Sequence, residues 1–207
     1  EQLAALGRPA STEGRAQPGA ATTTLHWHAH AVAALRYTPD GAQLISGGEE
    51  GVLVLWKLNS GNAAGTEGRE FVPRLGAGIT AVCVAHAHEG REQEYVARLA
   101  DGAVVFVAAL SLKPVRTFAT VKSDATRALL PPRARGALPN PLALDPAAGL
   151  AVLTSGHPST LQFVDVATGA HVRDLEVVPS NRVSRPEGEA LDPPRVLMVA
   201  LSAPARG

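Results

Sequence analysis

The stretch Val32 to Leu58, VAALRYTPDGAQLISGGEEGVLVLWKL, constrains this chain more than any other, because turn residues cut it into three short apolar runs. Pro39-Asp40-Gly41 ends the first run. Proline presets one backbone angle and glycine accepts a positive φ, so the chain reverses there. Gly47-Gly48-Glu49-Glu50-Gly51 separates the second run from the third, and two successive hairpins make a meander. The third run, Val52-Leu53-Val54-Leu55-Trp56, is apolar without alternation. A strand of an antiparallel sheet with one wet face reads with period two, so this strand needs cover on both faces. Small sheets stacked between like neighbours supply that cover.

The order then repeats. A second unit runs from Ile79 to Thr120: a β-branched run at Ile79 to Val84, a charged turn at Ala85 to Glu94, strands at Tyr95 to Leu99 and Ala103 to Leu110 around Asp101-Gly102, and an outer strand at Val115 to Thr120. Aligning Glu50-Gly51 with Asp101-Gly102 puts Val107 opposite Trp56. A third unit, Pro141 to Val178, carries turns at Asp145 to Gly149, Ser155 to Ser159 and Thr168-Gly169, with Val164 at the same position. The first unit closes with Glu70 to Leu75 as its outer strand, where Pro73 is tolerated on an unpaired edge. Thr22 to His28 and Arg195 to Leu201 read as strands of further units on either side. Residues 1–21 are rich in Gly, Pro, Ala and Thr and read as a flexible segment, 22–202 as the repeat domain, and 203–207 as a tail.

Lys and Arg number 19 and so do Asp and Glu, so no net field attracts a polyanion. The basic positions Arg127, Arg133 and Arg135 fall in a proline-containing stretch, where a solvated loop competes with contact to RNA phosphate or an acidic partner. The single cysteine, Cys83, sits between valines and reads as a core thiol in a reducing compartment. No apolar run reaches the roughly 18 residues of a membrane span.

His28, Val32, Tyr37, Pro39-Asp40-Gly41, Leu44, Ser46-Gly47-Gly48 and Leu55-Trp56 together resemble a WD repeat. The resemblance implies an all-β, WD40-type β-propeller of about three blades, at 32–76, 79–120 and 141–178, with a further blade starting at 195–201 and the ring incomplete. Closed propellers have roughly 4 to 8 blades, so the chain reads as part of a larger protein. Leu25-His26-Trp27-His28, Ser46 through Trp56, Glu70-Phe71-Val72-Pro73-Arg74-Leu75-Gly76 with Ile79, and Leu161-Gln162-Phe163 resemble, more narrowly, the nucleolar WD-repeat subunits of the t-UTP (UTP-A) part of the small-subunit processome. That resemblance implies a non-catalytic nucleolar scaffold that supports pre-rRNA transcription and 18S rRNA processing. Its implied partners are other processome proteins and, indirectly, pre-18S rRNA and the U3 particle, with no membrane and no small-molecule substrate. A generic WD40 interaction scaffold in another intracellular complex is the alternative.

The structural WD positions are His28, Asp40, Gly41, Ser46, Glu50, Trp56 and Asp101. Glu50 stands where the motif commonly has aspartate. No Gly-x-Ser-x-Gly elbow, phosphate loop, His-Glu-x-x-His or Cys-x-x-Cys occurs, so neither catalysis nor a cofactor is expected. His26, His28 and His30 alternate and would share one face of an extended strand, a spacing open to a transition metal. Against this, His28 occupies the WD histidine position, and the structural reading is preferred with no metal. His86 and His88, beside Glu89 and Glu92, read as a solvated loop.

Overall fold

The computed structural model describes residues 24–58, 68–86, 92–119, 121–124, 129–131, 139–178 and 194–201. Among them are twelve strands and no α-helix. The first sheet holds β1 (Val32–Tyr37), β2 (Gln43–Gly48), β3 (Leu53–Lys57) and β4 (Arg69–Val72). The second holds β5 (Ile79–Ala85), β6 (Glu94–Leu99), β7 (Val104–Ala108) and β8 (Pro114–Phe118). The third holds β9 (Leu142–Asp145), β10 (Leu150–Thr154), β11 (Thr160–Asp165) and β12 (His171–Glu176). Each sheet is antiparallel in chain order. Among the described residues the innermost strands pack side by side, β1 on β5 and β5 on β9, and do not close a ring.

Local sequence explains the meanders. Gly41, Gly102 and Gly149 turn their hairpins at φ of 69°, 97° and 65°, the left-handed region that a β-carbon disfavours. Gly51 is doubly constrained: its φ is 70°, and a β-carbon there would lie 2.5 Å from the Ala77 carbonyl oxygen, in the link to the second sheet.

Continuous apolar strands sit where sheets stack. Ile45, Leu53, Leu55 and Val72 of the first sheet pack against Ile79, Val82, Tyr95, Ala97, Val105 and Val107 of the second. The opposite face of the second sheet, with Cys83, Val96, Val104 and Phe106, packs against Leu142, Ala151, Leu153 and Val164 of the third. On the far face of the first sheet Val52, Val54 and Trp56 are covered by Leu25 and Trp27. Stacked β-sheets lie about 10 Å apart, so a strand between two others buries both faces and loses its alternation. By contrast Leu35 and Tyr37 on the innermost β1 are exposed.

Several strand expectations shift. β4 ends at Val72, one residue before Pro73, because proline has no N–H to donate to the ladder. Glu94 opens β6 rather than closing a turn, and its buried carboxylate accepts a bond from Arg116. β12 stops at Glu176, short of Val178. Residues 24–28 and 195–201 are not in ladders, since the described chain gives them no strand to pair with. The flexible segment and tail, the positions Arg127, Arg133 and Arg135, and His88 and Glu89 all lie outside the described residues.

Candidate functional site

Four side chains from separate parts of the first sheet converge behind β2. Ser46 lies on β2 opposite Val54, and Trp56, two residues further along β3, shares its face. The Trp56 indole Nε1–H donates to Ser46 Oγ at 2.9 Å. Ser46 Oγ is also 2.8 Å from His28 Nε2, and His28 Nδ1 is 3.2 Å from Glu50 Oε2 in the turn before β3. The direction of the protons follows from the inventory of donors. Indole is a donor only, so Ser46 accepts there; the Glu50 carboxylate is an acceptor only, so His28 Nδ1 carries the proton that faces it, and in that tautomer Nε2 accepts the Ser46 hydroxyl proton. The other carboxylate oxygen, Oε1, accepts the His30 backbone N–H at 2.7 Å. Trp27 caps the column, edge-on to the His28 ring with centroids 5.1 Å apart.

The Ser–His–carboxylate order matches that of a hydrolytic triad, yet this arrangement cannot act as one. Ser46 is 2% exposed and its oxygen already accepts from Trp56, so no acyl carbon can reach it. The chemistry available is structural. It ties the chain entering the sheet to β2, the following turn and β3.

Glu50 also sets a pH dependence. Burial pulls its carboxyl up, but bonds from its own N–H, the His30 N–H and His28 outweigh burial and hold it below its ordinary value of 4.5. A carboxyl depressed in the folded state gives stability that is complete above the unfolded value and is lost as pH falls through the folded one. Denaturant titrations below pH 4.5 should therefore show wild type losing stability faster than Glu50→Gln, and parallel losses would remove Glu50 from the column.

The remaining WD positions do local work. Asp40 Oδ1 accepts from Thr38 Oγ1 at 2.6 Å and from the Ala42 N–H at 3.0 Å, which fixes the hairpin at Gly41. These bonds hold the Asp40 carboxyl below its ordinary value. Asp101 Oδ1 accepts the Ala103 N–H at 3.0 Å within the β6–β7 turn and does not join a column of its own. The register explains why: Ala97 and Val107 stand in the second sheet, and Leu153 and Val164 in the third, where the first has Ser46 and Trp56. Apolar packing replaces the polar column there.

His28 is the member of the His26, His28 and His30 series that enters the column through its ring, while His30 contributes its backbone N–H and His26 a carbonyl that accepts from Arg69. Among the described residues no group of three or more His, Cys, Asp or Glu is arranged to hold a metal. Cys83 is buried, its thiol donates to the Leu142 carbonyl at 3.3 Å, and burial pushes its pKa up.

Sequence reasoning missed a second polar group, at the seam between the second and third sheets. Arg98 is 0% exposed and reaches across the seam, donating to the Pro141 carbonyl at 2.7 Å and to Thr154 Oγ1 and carbonyl at 3.0 Å each. Gln162 Nε2 donates to the Thr154 and Lys122 carbonyls, and Asn140 Nδ2 to Thr80 Oγ1 and the Leu99 carbonyl. The available signal was Gln162, which interrupts an apolar run in β11.

Comparison with known proteins agrees with this geometry. Residues 16–94 match the family model described as the WD repeat-containing protein 75 first beta-propeller. WD repeat-containing protein 75 of Danio rerio is 32% identical over 157 residues, which is 75% of this chain and 16% of the relative. U3 small nucleolar RNA-associated protein 17 of Schizosaccharomyces pombe is 38% identical over 88 residues, which is 42% of this chain and 10% of the relative. The chain thus spans a small part of the length of the curated relatives it matches. The solved β-propeller domain of Myceliophteria thermophila Cps50 (Swd1) superposes with a TM-score of 0.52 at 14% identity, covering 76% of this chain and 46% of that one. That likeness shows the fold. The resemblance to WD repeats and the all-β propeller class with an open ring are borne out.

Proposed function

We propose that this WD-repeat chain, similar to WD repeat-containing protein 75, is a non-catalytic scaffold of the nucleolar small-subunit processome, acting in its t-UTP part and supporting pre-rRNA transcription and 18S rRNA processing. The observation that carries the reading is the match of residues 16–94 to that family's first propeller, reinforced by a relative named for its association with U3 small nucleolar RNA. The structure supports it physically. Rigid stacked sheets offer surfaces for partners, and the most catalytic-looking side chains are sealed in the column behind β2. On this reading residues 22–202 form part of a larger ring, the WD positions His28, Asp40, Gly41, Ser46, Glu50, Trp56 and Asp101 hold blades rather than ligands, and pre-18S rRNA is reached through other t-UTP proteins.

Depletion tests the proposal. Mature 18S rRNA should fall relative to the large-subunit rRNA, with unprocessed precursor accumulating and a tagged copy in the nucleolus. An unchanged ratio with the tag elsewhere would favour a WD scaffold in an unrelated complex, which the same blades would serve as well.

A further inference from the structure

The β7–β8 and β11–β12 turns share one backbone. In the first, the Leu112 N–H donates to the Ala108 carbonyl and the Ala108 N–H to the Lys113 carbonyl; in the second, Gly169 donates to Asp165 and Asp165 to Ala170 in the same way. Leu112 and Gly169 therefore hold the same position, and their φ values are 54° and 75°. Glycine takes that left-handed conformation freely, whereas leucine is strained in it. The second turn is also capped by the Asp165 carboxylate, which accepts the Ala167 and Thr168 N–H, where the first has Ala108. Local sequence thus favours the second turn and not the first, so packing must hold Leu112 in place.

The two turns meet different neighbours. Leu112 is partly buried against the cluster between the first and second sheets, which contains Val72. Gly169 lies against the Phe118 ring of the second sheet, where a β-carbon would fall 2.7 Å from Cδ1. Val72 and Phe118 are themselves equivalent, since β4 places Val72 opposite Leu53 and β8 places Phe118 opposite Val104. A large turn residue meets a small strand residue at one seam, and a small one meets a large one at the other. A second contrast lies one residue past Ser46 and Ala97, where the first sheet has Gly47 and the second Arg98. A β-carbon on Gly47 would sit 2.7 Å from Ile79 Cγ2, so glycine admits the side chain that opens β5. Arg98 instead fills that place and crosses to Pro141 and Thr154.

We infer that the seams are keyed: Leu112 with Val72 and Gly169 with Phe118 form matched pairs, seconded by Gly47 with Ile79 and Arg98 with Pro141, so that each sheet accepts its own neighbour and rejects the others. Exchanged sheets would set Leu112 against Phe118 and Ile79 against Arg98. Repeat proteins need such discrimination, because like units otherwise stack interchangeably and misassemble.

Urea unfolding of the full chain tests the outer pairs, because single substitutions reproduce the wrong neighbours. Gly169→Leu brings the β7–β8 kind of turn to Phe118, and Phe118→Val brings the Val72 kind of strand to Gly169. Each should lower the midpoint, and the double variant should lie above Gly169→Leu, with a coupling of about tenfold in the unfolding equilibrium, as for residues in contact. The mirror cycle, Val72→Phe with Leu112→Gly, leaves glycine at the left-handed position. There Val72→Phe alone should lower the midpoint and the double variant should recover it by the same factor. If chains carrying Gly169→Leu do not fold, the mirror cycle decides. Additive effects in the mirror cycle, or in the Gly169 and Phe118 cycle where its variants fold, would overturn the keys.

Discussion

Trp56→Ala is expected to destabilise the chain by about 3–5 kcal/mol, the cost of deleting a large aromatic side chain from a core together with the cavity it leaves. Trp56 is 2% exposed and packs with Val52, Val54, Leu25 and Trp27 on the outer face of the first sheet. Its loss also removes the indole bond to Ser46, so the column loses one of its anchors. Ser46 would keep His28 as partner and the column would loosen rather than leave a bare hydroxyl. Asp40→Ala, at an exposed hairpin, should cost far less. Urea titrations of the two variants rank them directly, and the reverse order would show that Trp56 does not lie in a core.

Phe106→Ala should cost a comparable amount, about 3–5 kcal/mol, at a different place. Phe106 is 0% exposed at the seam of the second and third sheets, with its ring 5.0 Å from that of Phe118 and the Arg116 guanidinium 4.5 Å from its centroid. Aromatic and cation–π contacts of this kind add roughly 0.5–1.5 kcal/mol each to the burial. Because Trp56 and Phe106 belong to separate clusters, their effects should add within about 0.5 kcal/mol. Strong non-additivity in the double variant would mean that the outer face of the first sheet and the seam of the second and third sheets are not independent clusters.

What could be read in advance had a local physical signature. Pro39-Asp40-Gly41 and Asp101-Gly102 announce hairpins by backbone preference alone, and both glycines adopt positive φ. Val52 to Trp56 announces a strand covered on both faces, and the strand is buried accordingly. His28, Ser46, Glu50 and Trp56 could be named from the spacing of one motif, and they meet in one column. The rest depends on neighbours distant in sequence. Arg98 reads as a solvent-facing charge in a strand, and what buries it is Pro141 and Thr154, 43 and 56 residues away. Residues 24–28 and 195–201 have strand-like composition, but a ladder needs a partner, and composition does not say whether the described chain supplies one. Asp101 aligns with Glu50 by its following glycine, yet no column forms around it because Ala97 and Val107 occupy the serine and tryptophan positions.

The central claim, that these stacked blades serve a ribosome-assembly particle, is tested most directly by affinity isolation of the tagged protein, with sequencing of the recovered RNA and identification of the recovered proteins. The account predicts U3 small nucleolar RNA, pre-18S species and the t-UTP proteins together, with the RNA lost and the t-UTP proteins retained after ribonuclease treatment. Recovery of an unrelated set of proteins without U3 or pre-18S RNA would contradict it.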